Sequence, residues 1–159
     1  MKTIKLGTLT RDTANGLKVT PTMLHVISKD DIQRSVYVQP KGINPETKLP
    51  VDGYWSTEER IGGRIAGTVP SHLIGEEVED IATGLKGKIT AIIQHINGCL
   101  HVNILPTGVQ KNGNKVDEYN VDIRRIKGKN IPSFTESELD QSEKENPSPL
   151  LYQKYTPKA

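Results

Sequence analysis

Cysteine is nearly absent from this sequence: Cys99 is the only one in 159 residues. No internal disulfide framework can form, and a reducing compartment is expected. Long apolar runs are absent too. The longest near the middle is Ala91-Ile92-Ile93, far short of the ~20 residues that span a bilayer, so no membrane segment is expected. No apolar stretch follows Met1-Lys2-Thr3-Ile4-Lys5-Leu6, so no signal peptide is expected. Charge of one sign does not dominate: 21 basic and 19 acidic side chains give a net charge of +2. The pI of about 8.6 lies below the value above ~9 that marks a nucleic-acid footprint. Aromatic residues are only 4% of the chain, and Tyr119 is the one aromatic of residues 75–130. That weighs against stacking platforms for single-stranded bases and against an aromatic groove for proline-rich peptides.

What the sequence does have is turn chemistry. Fourteen glycines and ten prolines accompany a lean 34% of hydrophobic residues, a composition that suits short strands joined by many turns. The strands fall into two copies. Asp12-Thr13-Ala14-Asn15-Gly16-Leu17-Lys18 resembles Asp80-Ile81-Ala82-Thr83-Gly84-Leu85-Lys86. Met23-Leu24-His25-Val26 aligns with Ile93-Gln94-His95-Ile96, which requires two extra residues in the second copy. Val36 to Gly42 aligns with Val102 to Gly108, and Tyr54 with Arg60-Ile61 aligns with Tyr119 with Arg125-Ile126. Four blocks in one order predict a tandem repeat.

In the second copy, Gly87 to Ile96 is rich in β-branched residues and reads as a strand. Asn97-Gly98 predicts a type I′ hairpin, and Asn112-Gly113 a second hairpin. Leu100, Val102 and Ile104 alternate with His101 and Asn103, and Val121 and Ile123 with Asp122 and Arg124. The first copy replaces the tight tips with loops at Ser28 to Arg34 and Asn44 to Pro50. The expected organisation is a first module over 1–63, a linker over 64–74, a second module over 75–130 and a C-terminal arm over 131–159. In the arm, Thr135 and Glu138 have capping-box spacing and Phe134 and Leu139 staple spacing, predicting a short helix to Lys144. Asn146-Pro147-Ser148-Pro149 is then extended. Leu150, Leu151, Tyr152 and Tyr155 give the arm an apolar tip suited to docking.

No catalytic set emerges. Gly84-Leu85-Lys86-Gly87-Lys88-Ile89-Thr90 departs twice from a phosphate-binding loop, with Ala82 and Ile89 at the key positions. His95, Cys99 and His101 supply three candidate zinc ligands where about four are wanted. No oxyanion donor accompanies a Cys–His pair. Asp12 and Asp80 precede glycine turns, where an Asp bonds backbone N–H groups. Neither enzymatic activity nor a metal or cofactor is expected. Lys86, Lys88, Arg124, Arg125 and Lys127 are the candidate phosphate contacts, read more simply as charges that blunt a sheet edge. Tyr37, Tyr54 and Trp55 are candidate partner contacts in the first copy, with a core role the stronger expectation for Trp55.

The stretch Gly75 to Ala91 resembles the opening of a KOW or SH3-like barrel: a strand, a glycine-containing turn, then Gly87-Lys88-Ile89 into the next strand. Asp80, Thr83-Gly84, Gly87, Asn97-Gly98-Cys99, Pro106, Asp122 and Arg125-Ile126 are similar to small virion-associated proteins of tailed bacteriophages. The first copy lacks the Gly-Cys turn and the second glycine of the turn motif. The resemblance implies an all-β pair of SH3/KOW-like barrels with an arm. It also implies a structural role in a phage virion, as capsid decoration, neck or tail accessory protein, in contact with capsid or tail subunits in a symmetric assembly. The alternatives are a KOW-type nucleic-acid or transcription-machinery binder, and a host-directed phage protein that binds a host protein or small signalling molecule.

Overall fold

A computed structural model of the chain describes residues 2–107, 117–129 and 131. It is all-β, with strands β1 (Lys2–Ile4), β2 (Thr10–Arg11), β3 (Lys18–Val26), β4 (Arg34–Pro40), β5 (Tyr54–Ser56), β6 (Gly63–Ile65), β7 (Glu77–Asp80), β8 (Lys86–His95), β9 (Leu100–Pro106), β10 (Tyr119–Asp122) and β11 (Ile126–Lys127). Short 3-10 turns lie at Ser71–Leu73 and Ile123–Arg125. Among the described residues no helix is long and apolar enough to cross a membrane.

Alternation builds the long strands. Leu24, Val26, Val36, Val38, Val102 and Ile104 are fully buried, while their strand neighbours face away from the core; in the middle of β8, Ala91, Ile92 and Ile93 are all buried. The main sheet runs β10-β9-β8-β3-β4-β5 and does not close on itself. Each long strand has a bent partnership. β3 pairs with β4 along one edge, and on the other with β2 near its start and β8 near its end. β8 does the same with β9, and with β7 then β3.

The two copies therefore share one wiring. Both long strands slip register at a threonine, between Pro21 and Met23 and between Ile89 and Ala91. The Thr22 and Thr90 hydroxyls donate to Tyr37 O and Asn103 O, each at 3.4 Å. Val19 opposes Pro40 as Gly87 opposes Pro106. The spacing from Asp12 to Asp80 thus continues unbroken into the strands. His25 corresponds to Ile93 and not to His95, and the two extra residues expected from the sequence do not exist. The copies meet antiparallel with His25 opposite Ile93. The Leu24–Gln94 and Val26–Ile92 pairs flank it symmetrically.

Two further expectations are corrected. The Asn97-Gly98 hairpin forms, but as a three-residue loop: Gly98 N–H donates to His95 O at 2.8 Å and His95 N–H to Cys99 O at 2.9 Å. Gly98 alone takes positive φ (85°), so the turn is type I with a glycine bulge rather than type I′. The linker is not a free connection. Gly63–Ile65 pairs in parallel with β1, and Ile65, Val69 and Leu73 are buried in the core. That core is one cluster from Ile4 to Ile131 and draws on both copies. Asn112-Gly113, the arm helix, and Leu150, Leu151, Tyr152 and Tyr155 lie outside the described residues.

Candidate functional site

The sheet face opposite the core carries two of the three candidate contact residues of the first copy, Tyr37 and Trp55. Trp55 on β5 lies opposite Tyr37 on β4, Tyr37 opposite Met23 on β3, and Met23 opposite His95 on β8. A neighbouring row runs Ser35, His25, Ile93, His101, Asp122. The face therefore crosses from one copy to the other without interruption. Trp55 is 49% exposed, so the expected core role fails: the strand's alternation turns Ser56 inward and leaves the indole on the open face. It is held there by rings. Tyr37 meets it edge-on at 5.1 Å between centroids and His25 lies tilted at 5.6 Å. Gly53 makes room for Tyr37, since a Cβ there would lie 2.6 Å from Cε2 of that ring.

On the second copy the same face turns polar. His95 and His101 rings stack edge-on at 4.7 Å. His101 Nδ1 and Asn120 Oδ1 are 2.8 Å apart, and Asn120 Nδ2 donates to Asn103 Oδ1 at 2.8 Å. Burial, reinforced by the adjacent His101 and partly offset by Asp122, pushes the His95 pKa down to about 4. His25 is also lowered by burial, against the opposing pull of Glu118. Both imidazoles are thus neutral at pH 7 and present hydrogen-bonding apolar rings.

Tyr54 is not on this face. Its hydroxyl donates to Asp12 Oδ2 at 2.6 Å, so it belongs to an internal clamp. Arg125 is similarly committed, with Nη2 2.7 Å from Asp80 Oδ2, and Arg124 pairs with Asp122 at 2.9 Å. Lys127 Nζ lies 3.9 Å from Glu79. Lys86 and Lys88 stand opposite Glu79 and Glu77 in the ladder. Five candidate phosphate contacts therefore sit among acidic partners. An open cleft of about 650 Å³ between Glu77, Glu79, Lys86 and Lys127 is charge-balanced in the same way.

A second cleft, of about 630 Å³, opens where the copies meet, between Lys5, Leu6, Ala66, Gly67, Gln94, Ile96 and Leu100. Sequence reasoning missed it. Gln94 occupies the position of the fully buried Val26 in the other copy, and the His25–His95 alignment concealed that substitution. Cys99 is half-buried and its thiol is pushed up by burial, which disfavours the reactive thiolate. Among the described residues no group of three or more His, Cys, Asp or Glu side chains is placed to hold a metal ion. No protein-family model, curated protein or solved structure matches the chain.

Proposed function

We propose that this chain is a non-enzymatic structural protein of a tailed-phage virion, built as a tandem pair of SH3/KOW-like barrels. It works through contacts with capsid or tail subunits in a symmetric assembly, after synthesis in the host cytoplasm. The observation that carries the reading is the half-exposed Trp55, braced by Tyr37 and His25 on a face continuous across both copies. A fixed, amphipathic indole gives large contact area with little rotamer entropy to lose, which is why such residues dominate protein interfaces. The repeated strand wiring supports the tandem-barrel part of the reading, and the apolar tip of the arm supplies a further contact.

The nucleic-acid alternative is weaker, because Lys86 and Lys88 face carboxylates across the ladder and Arg125 is held by Asp80. Quantitative mass spectrometry of purified particles tests the proposal. The chain is expected in fixed ratio to a capsid or tail subunit and to persist through high-salt washing. Its absence from particles, with the chain abundant in the infected cell, would contradict the proposal.

A further inference from the structure

The cleft at the junction contains a polar atom without a partner. Gln94 Oε1 is buried and accepts no hydrogen bond from the described residues. Such an acceptor is costly to leave unpaired, and the equivalent Val26 shows that the position is filled by an apolar side chain in the other copy. Gly67, at φ +104°, keeps the space open: a Cβ there would lie 2.9 Å from Gln94 Nε2. The rest of the wall is mixed: Leu6, Ala66, Ile96 and Leu100 supply apolar patches beside the polar Thr68 and His95, and Lys5 stands at the rim. A fitting occupant is an amphipathic group that covers the apolar patches and carries an O–H or N–H donor.

We propose that this cleft receives the tip of the chain's own arm. Leu150 and Leu151 would lie against Leu6, Ile96 and Leu100, and the Tyr152 hydroxyl would donate to Gln94 Oε1. Eighteen residues separate Ile131 from Leu150, enough to span ~60 Å when extended. A body of ~130 residues has a radius of gyration of only ~14 Å, so the tip reaches any point on its own surface. Tethering raises its effective concentration to the order of millimolar, which favours the same chain over a second copy. The inference concerns the free chain and does not depend on the virion reading.

Paramagnetic relaxation in the full-length chain tests it. A nitroxide is placed at Gln153→Cys in a Cys99→Ser background, and amide signals are read by NMR. The amides of Gly67, Gln94, Ile96 and Gly98 should be strongly attenuated. The attenuation should persist on dilution with unlabelled chain and fall several-fold with Tyr152→Phe. Three results would overturn the proposal: full-intensity signals at those amides, attenuation only between different chains in a mixed sample, or attenuation indifferent to the loss of the Tyr152 hydroxyl.

Discussion

Arg60 grips Asp12 through two parallel bonds, Nε to Oδ1 at 3.0 Å and Nη2 to Oδ2 at 2.7 Å. Arg125 grips Asp80 in the same way, at 3.1 and 2.7 Å. Both carboxylates are fully buried. Each also accepts a backbone N–H two residues on, from Ala14 at 2.9 Å and Ala82 at 3.1 Å. Gly16 and Gly84, at φ +77° and +80°, close the turns by donating to Asp12 O and Asp80 O. Thr13 N–H donates to Arg60 O, and Ile81 N–H to Arg125 O. The clamp thus ties the opening turn of each copy to its last segment. The remaining donors differ: Tyr54 at 2.6 Å and Ser56 at 3.4 Å in the first copy, Thr83 at 2.7 Å in the second.

Asp12→Asn and Asp80→Asn are expected to destabilise the fold by about 2 kcal/mol each, the range for hydrogen bonds to a charged group. Urea melts should show the two losses adding in the double variant, because the sites belong to separate clamps. A loss below about 0.5 kcal/mol at either site would place the clamp outside the stabilising set.

Acid should weaken the protein in two stages. For Asp12, burial alone would raise the carboxyl, but the bonds from Tyr54, Ala14 and Arg60 outweigh it and hold the pKa below 3.8. For Asp80, the Arg125 bond is the largest influence and lowers it against burial. A depressed carboxyl contributes stability above its unfolded pKa that is lost as pH falls through the folded one. His95 acts earlier. Its pKa falls from 6.5 to about 4, so the unfolded chain takes up its proton first and stability declines as pH drops through that window. Stability curves against pH should therefore fall below about pH 6.5 and again below about 3.8. His95→Gln should shrink the first decline to the part that comes from His25, whose pKa burial also lowers, and leave the second.

Arg34, nearly buried, pairs with Glu58 at 2.9 Å through both Nε and Nη2. By the shared wiring, Leu100 and Ile123, both buried, hold these positions in the second copy. Arg34→Leu alone should cost about 3–5 kcal/mol, because Glu58 is left charged and unpaired. Arg34→Leu with Glu58→Ile should recover at least about 2 kcal/mol of that loss. The recovery is incomplete because Ile65 N–H, which donates to Glu58 at 2.7 Å, loses its acceptor. A double variant no more stable than the single would refute the equivalence of the two sites.

The fold was legible where local chemistry decides it. Alternating Leu100, Val102 and Ile104, the turns at Gly16 and Gly84, and the constant spacing of Tyr and Arg in both copies all mark real features. The Tyr–Arg spacing has its cause in the clamp for Asp12, which uses Tyr54 internally and not as the partner contact the sequence suggests. What was hidden depends on distant pairing. The parallel β1–β6 contact made a strand out of an apparent linker. A threonine bulge kept two strands in step where two histidines suggested an insertion. Trp55 looked like core by composition, and only the inward turn of Ser56 shows that it is not.

The proposed contact surface consists of Trp55 and its bracing rings, Tyr37 and His25. The direct measurement is the occupancy of the Trp55→Ala chain in purified particles, compared with wild type by quantitative mass spectrometry, alongside each protein's melting temperature. The indole is half-exposed, so the melting temperature should stay within a few degrees. Occupancy should fall at least about tenfold, as loss of an aromatic anchor worth ~2 kcal/mol or more implies. Wild-type occupancy with an unchanged melting temperature would contradict the claim.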